Sequence, residues 1–189
     1  MKKTLTMVLA FALVFALGVG GTLAWLTDST EEVVNTFTPS NIDITLEESV
    51  DTLNDGAEDF KMVPGSDITK DPVVTVVGGS EACWLFIKVV ESDNLDDFID
   101  YAIINEWRPT TTAGIYYREV TASDNDQEFP IIVEDTVTVL EDVTKDMMDA
   151  LEDGTATNPT LTFKAAAVQH ENVDTLAAAM EKLPSAFLD

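Results

Sequence analysis

The sequence predicts a mainly β fold, a jelly roll or β-sandwich with two or three short inserted or flanking helices. Three observations predict it. Apolar and polar residues alternate with period two in several short runs, turn-forming residues cluster between those runs, and stripes of helical spacing are confined to two places late in the chain. With 46% apolar residues among 189, the chain can bury a sizeable core, and wholesale disorder of the acidic kind is not expected.

Ile42-Asp43-Ile44-Thr45-Leu46-Glu47 places three aliphatics on one face and polar groups on the other, as a half-buried strand requires. Val73–Val77 is rich in β-branched residues, Cys83–Val90 is apolar on both faces apart from Lys88 and reads as a central strand, and Ile115–Val120 follows. Phe129–Val133 contains Pro130, which demotes it to an edge or a strand start. Thr136–Val139 and Leu161–Ala165 alternate again. Turn chemistry at Pro64-Gly65, Gly78-Gly79, Thr110–Gly114 and Ser123–Asp126 separates the strands. One helix is expected after a Thr144 N-cap, with Val143 stapling onto Met148 and Leu151 continuing the face. A second follows from the stripe Val173, Leu176, Ala177, Met180 and Leu183, ended by Pro184, and Leu95–Ala102 is a third candidate. No repeat, low-complexity linker or second globular domain is evident.

Ten Lys and Arg stand against 35 Asp and Glu, a formal net charge of −25. A charge of this sign repels phosphate backbones and anionic headgroups, so nucleic-acid binding is not expected. The start of the chain has a signal-peptide layout: Lys2-Lys3, an apolar run from Leu5 to Val19, Gly20-Gly21, and the small residues Thr22 and Ala24 at −3 and −1 of a cut before Trp25. Residues 1–24 are therefore expected to be a leader, with 25–36 an N-terminal segment and 37–189 the folded domain. The uncharged stretch Thr4–Thr27 is also long enough to cross a hydrocarbon core of ~30 Å, which makes an uncleaved anchor the alternative. Loss of the leader removes two lysines and leaves the exported form more acidic still.

Catalytic chemistry finds little material. His170 is the one imidazole, no G-x-S-x-G elbow occurs, and His170-Glu171 continues to Asp174 where H-E-x-x-H needs its second histidine. His170 reads as a histidine at a strand end, and no general acid, base and nucleophile can be named together. Cys83 has no partner for an internal disulfide; it reads as a buried inert thiol, with an intermolecular disulfide as the alternative. Calcium is the ion the residues would take: Asp124, Asp126 and Glu128, or Asp93-Asn94 with Asp96 and Asp97, offer clustered oxygens. A solvated polar turn accounts for the same residues, and no other cofactor is expected.

The leader ending Gly20-Gly21-Thr22-Leu23-Ala24, followed by Trp25-Leu26-Thr27-Asp28, resembles that of the TasA/camelysin family of bacterial matrix-fibre proteins, whose leaders are read by a SipW-type signal peptidase. Phe37 leading into Ile42-Asp43-Ile44 is similar to that family's entry strand. Val63-Pro64-Gly65-Ser66-Asp67-Ile68-Thr69-Lys70-Asp71 is similar to its P-G-D-x-x-x-K turn with Ser66 inserted, and Phe163–Gln169 is a third match. Ser92–Asn158 matches only loosely. The resemblance implies a non-enzymatic jelly-roll subunit, secreted and assembled in the extracellular matrix of a biofilm with copies of itself or related matrix subunits. It also implies head-to-tail pairing through an N-terminal donor strand.

Trp25, Leu26, Val33, Val34 and Phe37 would be the apolar contacts of that strand, seated on an edge by backbone hydrogen bonds and side-chain pockets. A frayed terminus, or a strand of the chain's own sheet, is the alternative for the same segment. The metalloprotease character attached to camelysin relatives is not carried over, because the H-E-x-x-H ligands are missing. No Leu-Pro-x-Thr-Gly signal or long apolar tail precedes Asp189, so neither a wall anchor nor membrane association after cleavage is expected. The rival functions are a monomeric cell-surface binding module for calcium or glycan, and a secreted hydrolase.

Overall fold

A computed structural model describes residues 41–49 and 60–189, all within one unit that runs from Pro39 to Asp189. The described chain is mainly β, with three antiparallel sheets and a few short helices. Its strands are β1 (Ile44–Glu47), β2 (Asp67–Thr69), β3 (Val73–Val76), β4 (Cys83–Glu91), β5 (Ile99–Asp100), β6 (Arg108–Pro109), β7 (Ile115–Val120), β8 (Gln127–Pro130), β9 (Thr136–Val139) and β10 (Leu161–Gln169). The α-helices are α1 (Lys145–Glu152), α2 (Leu176–Met180) and α3 (Ser185–Leu188). The strands join in the orders β1-β3-β8, β10-β4-β7-β6 and β2-β9-β5.

The four-stranded sheet explains why β4 is apolar on both faces. Cys83, Leu85, Ile87 and Val89 point into a cluster that also takes Val74 and Val76 of β3, Val137 of β9, Trp107, Ile131 and Ile132, so one core is fed by all three sheets. The intervening Trp84 and Phe86 point the other way, joining Ala166 and Val168 of β10 in a second cluster closed by Val173, Ala179, Leu183 and Phe187. Polar atoms at this closure are satisfied. The Trp84 indole donates to the Val173 carbonyl at 2.8 Å, and Lys88 donates to the Leu188 carbonyl at 2.6 Å. A third cluster packs Phe98, Val139 and Val143 with Met147, Met148 and Leu151 of α1.

Two glycines allow close approaches. Gly114 has φ +73° and its α-carbon faces the Val89 carbonyl so closely that a Cβ would lie 2.8 Å from that oxygen. A Cβ on Gly78 would lie 2.5 Å from the Asp124 carbonyl oxygen, so the Gly78-Gly79 turn and the loop after β7 meet backbone to backbone.

Several expectations need correction. Phe129–Val133 is not one strand: β8 begins at Gln127 and ends at Pro130, pairing Phe129 with Val74 at the edge of its sheet. Ile131 and Ile132, next along the chain, are both fully buried, which a strand with one solvent face cannot do. Leu95–Ala102 forms a 3-10 turn (Leu95–Asp97) and then β5, because Ile99 and Asp100 pair with β9 and draw the chain out of a helical path. The stripe from Val173 to Leu183 is not a continuous helix. Asn172 has φ 62°, Thr175 is extended and caps α2 by accepting from the Ala178 amide, and Ala179 is buried where Ala177 was expected. The extended Thr175 resets the helical phase, yet Val173 and Leu183 still reach the same cluster. After Pro184 the chain forms α3, which the sequence reading did not include.

Candidate functional site

The expected signal-cleavage residues Thr22, Ala24 and Trp25, and the assembly residues Trp25, Leu26, Val33, Val34 and Phe37, lie outside the described residues. What the structure describes is the strand edges of the folded part. β1 carries Ile44 and Leu46 inward and pairs with β3 from Ile44↔Val76 to Glu47↔Val73. β10 is the longest edge strand: its nine residues pair with β4 along their whole length, and among the described residues no strand pairs with its other side. Backbone groups on such an edge form a template for a further strand.

The link between β2 and β3 is tied down by Lys70. Its ammonium donates to both Glu48 carboxylate oxygens, at 2.8 and 2.9 Å, with the two side chains only 12% and 21% exposed. The same ammonium lies 5.4 Å from the centre of the Phe60 ring and 5.8 Å from that of Phe163. Lys70 thus ties the end of β1 to β10. The motif resemblance includes this lysine without assigning it that role; a lone cation between Thr69 and Asp71 in so acidic a chain was the signal available.

The calcium candidates are placed at the Gly78 turn. Asp126 Oδ1 accepts the Gly78 amide at 2.7 Å, Asp124 supplies the backbone that Gly78 touches, and Glu128 sits on the exposed face of β8. The Asp126 carboxylate thus has a structural task, fastening the loop to the turn. Among the described residues no three His, Cys, Asp or Glu side chains group closely enough to hold a metal ion.

Cys83 is fully buried in the central core, and loss of hydration pushes its thiol pKa up to about 11. His170 follows β10 and stacks on Trp84, ring centres 5.2 Å apart, with Nε2 3.8 Å from Glu119 Oε2. Arg118 is the other unusual cation. Its guanidinium lies 5.3 Å from the centre of the Trp107 ring and 4.3 Å from that of Phe129, and burial draws its pKa below the ordinary value, partly offset by the negative Glu106. No helix among the described residues is long and apolar enough to cross a membrane.

A cleft of about 420 Å³ opens between the end of β4, β5, β6 and β7. Asp96, one of the acidic residues noted after β4, lines it with Glu91 and Asp100. The Tyr101 hydroxyl donates to Glu91 Oε1 at 2.5 Å, and burial together with that bond raises the phenol pKa. No family model matches the chain, and no curated protein or solved structure matches it.

Proposed function

We propose that the chain is a secreted, non-enzymatic structural subunit of extracellular biofilm-matrix fibres, similar to the TasA/camelysin family. In this reading a SipW-type peptidase removes residues 1–24, and residues 25–36 of one copy pair as a strand with the next, within a fold of jelly-roll type. The observation that carries it is the order of features at the start of the chain: a leader of that family's pattern, then Trp25–Phe37 with its spaced apolar residues, then β1. That no strand among the described residues pairs with the outer side of β10 supports it, because strand pairing needs an edge long enough to supply many backbone hydrogen bonds. Head-to-tail pairing that does not close yields a filament.

Sedimentation velocity of the chain from Trp25, beside the same chain lacking Trp25–Asn35, tests the reading. Concentration-dependent assembly of the first alone is the expected result. Equal sedimentation of both as monomers overturns it. The cleft beside Tyr101 favours a second reading, a monomeric cell-surface binding module, in which the deletion leaves both fold and ligand binding intact.

A further inference from the structure

We propose that residues 171–189 form a latched strap, which opens as a unit while the sheet beneath it stays folded and which Lys88 and Lys164 hold closed. The proposal stands whether or not the chain forms fibres. The strap lies on one face of the four-stranded sheet, where Val173, Ala179, Leu183 and Phe187 pack on Trp84, Phe86, Ala166 and Val168. Its backbone is independent of that sheet. The backbone-to-backbone hydrogen bonds of 171–189 close within the segment or on His170, whereas β4 and β10 pair over nine residues. Helices α2 and α3 have five and four residues, too short to persist in water without packing, so docking and ordering of the segment are one event. Asn172, with φ 62°, makes the turn where the strap leaves β10, in a backbone region that asparagine tolerates.

Beyond a local bond from Gln169 to the Glu171 carbonyl, three side chains of the sheet donate to the strap, and each meets a backbone carbonyl. Trp84 donates to Val173 near the hinge. At the far end Lys88 donates to Leu188 at 2.6 Å and Lys164 to Ala186 at 3.3 Å. Lys88 and Lys164 are direct cross-strand partners on β4 and β10, so both ammonium groups reach α3 from one place on the sheet. Carbonyls in a helix's last turn lack partners within the helix and form the negative end of its dipole, which favours cations there. Two of the ten Lys and Arg thus serve backbone carbonyls in a chain that offers 35 acids. Opening breaks both contacts and uncovers Trp84 and Phe86, which are 5% and 0% exposed when the strap is closed.

Hydrogen exchange of the full-length chain, read by mass spectrometry, tests this by comparing protection in 176–189 with protection in β4. Lys88→Met and Lys164→Met keep most of the side-chain stem and remove the ammonium. Lys145→Met removes the same charge from α1, where the lysine pairs with Asp149, and serves as the control. The expected result is protection of 176–189 at least about tenfold below that of β4 in the native chain. Each latch variant should lower it about threefold or more again, with β4 unchanged and the control without effect on the strap. An apolar fluorescent dye should bind the latch variants more than the control, because it reaches the Trp84 face only in the open form. Equal protection of strap and β4 in the native chain would show one cooperative unit and overturn the proposal. So would latch variants that exchange like the native chain, or that loosen β4 as much as the strap.

Discussion

Lys70 shows how a single charge is used in a chain short of cations. Its ammonium is largely withdrawn from water, so its two bonds to Glu48 and its position near two aromatic rings must offset the lost hydration. Removing the ammonium leaves Glu48 partly buried without its partner. Lys70→Met, which keeps most of the stem volume, is therefore expected to lower stability by about 2 kcal/mol, read as a reduced urea midpoint. Cys83 gives a prediction of a different kind. Its thiol pKa of about 11 in the folded chain lies above the ordinary 9.0, so the folded state keeps its proton at pH values where the unfolded state loses it. The Cys83 contribution is intact below pH 9 and declines between pH 9 and 11. Compared with Cys83→Ala, the native chain should lose more stability across that window, and at pH 8 iodoacetamide should label Cys83 only once denaturant is added. Equal pH slopes in the two proteins would contradict this. Burial of this cysteine was legible from its apolar neighbours on both sides; the tie between Lys70 and Glu48 was not, because a contact spanning 22 residues depends on β1 and β2 already being in place.

Among the elements, those longer than three residues with a regular period were the ones the sequence made plain. β1, β9 and the first half of β10 alternate, β3 is rich in β-branched residues and β4 is apolar apart from Lys88 and Glu91; these and β7 each form near the place their residues indicate. β2 has one inward residue, Ile68, and β5 and β6 have two residues each, too few to display a period at all. Tertiary pairing makes them strands: β2 and β5 flank β9, and β6 lies against β7. β8 was displaced in the sequence reading because Phe129-Pro130-Ile131-Ile132-Val133 looks like a continuous apolar run, whereas pairing with β3 ends at Pro130. Helix α1 was legible from its cap, and the Thr144 hydroxyl does accept the Met147 amide at 3.3 Å. None of its residues is fully buried, so the cap carries an unusual share of its stability. Thr144→Ala should cost about 1 kcal/mol. Hydrogen exchange should report it as faster exchange within 145–152, with β4 amides unchanged.

At the scale of the whole molecule, the described chain is a four-stranded sheet buried on both faces, by the other sheets on one side and by the C-terminal segment on the other. That arrangement leaves strand edges as the places where a second copy could add on. The expected assembly residues rest on apolar residues set among polar ones and on family likeness, and they lie outside the described residues; what the structure describes is that β10 ends its sheet. The cleft beside Tyr101 was not legible in the sequence, because its walls come from separate strands and turns between Glu91 and Tyr116 that only the folded sheets bring together. The surplus of acidic over basic residues should make self-association depend on solution conditions. Raising salt from low to physiological values should increase assembly by screening like charges, as light scattering would record.

The central claim is that the N-terminal segment builds fibres from this fold, and electron microscopy in negative stain tests it most directly. The chain starting at Trp25 and the same chain lacking Trp25–Asn35 would be incubated at neutral and mildly acidic pH, with and without calcium. Filaments from the longer chain alone are the predicted result. Dispersed particles from both under every condition, or filaments from both alike, would contradict it.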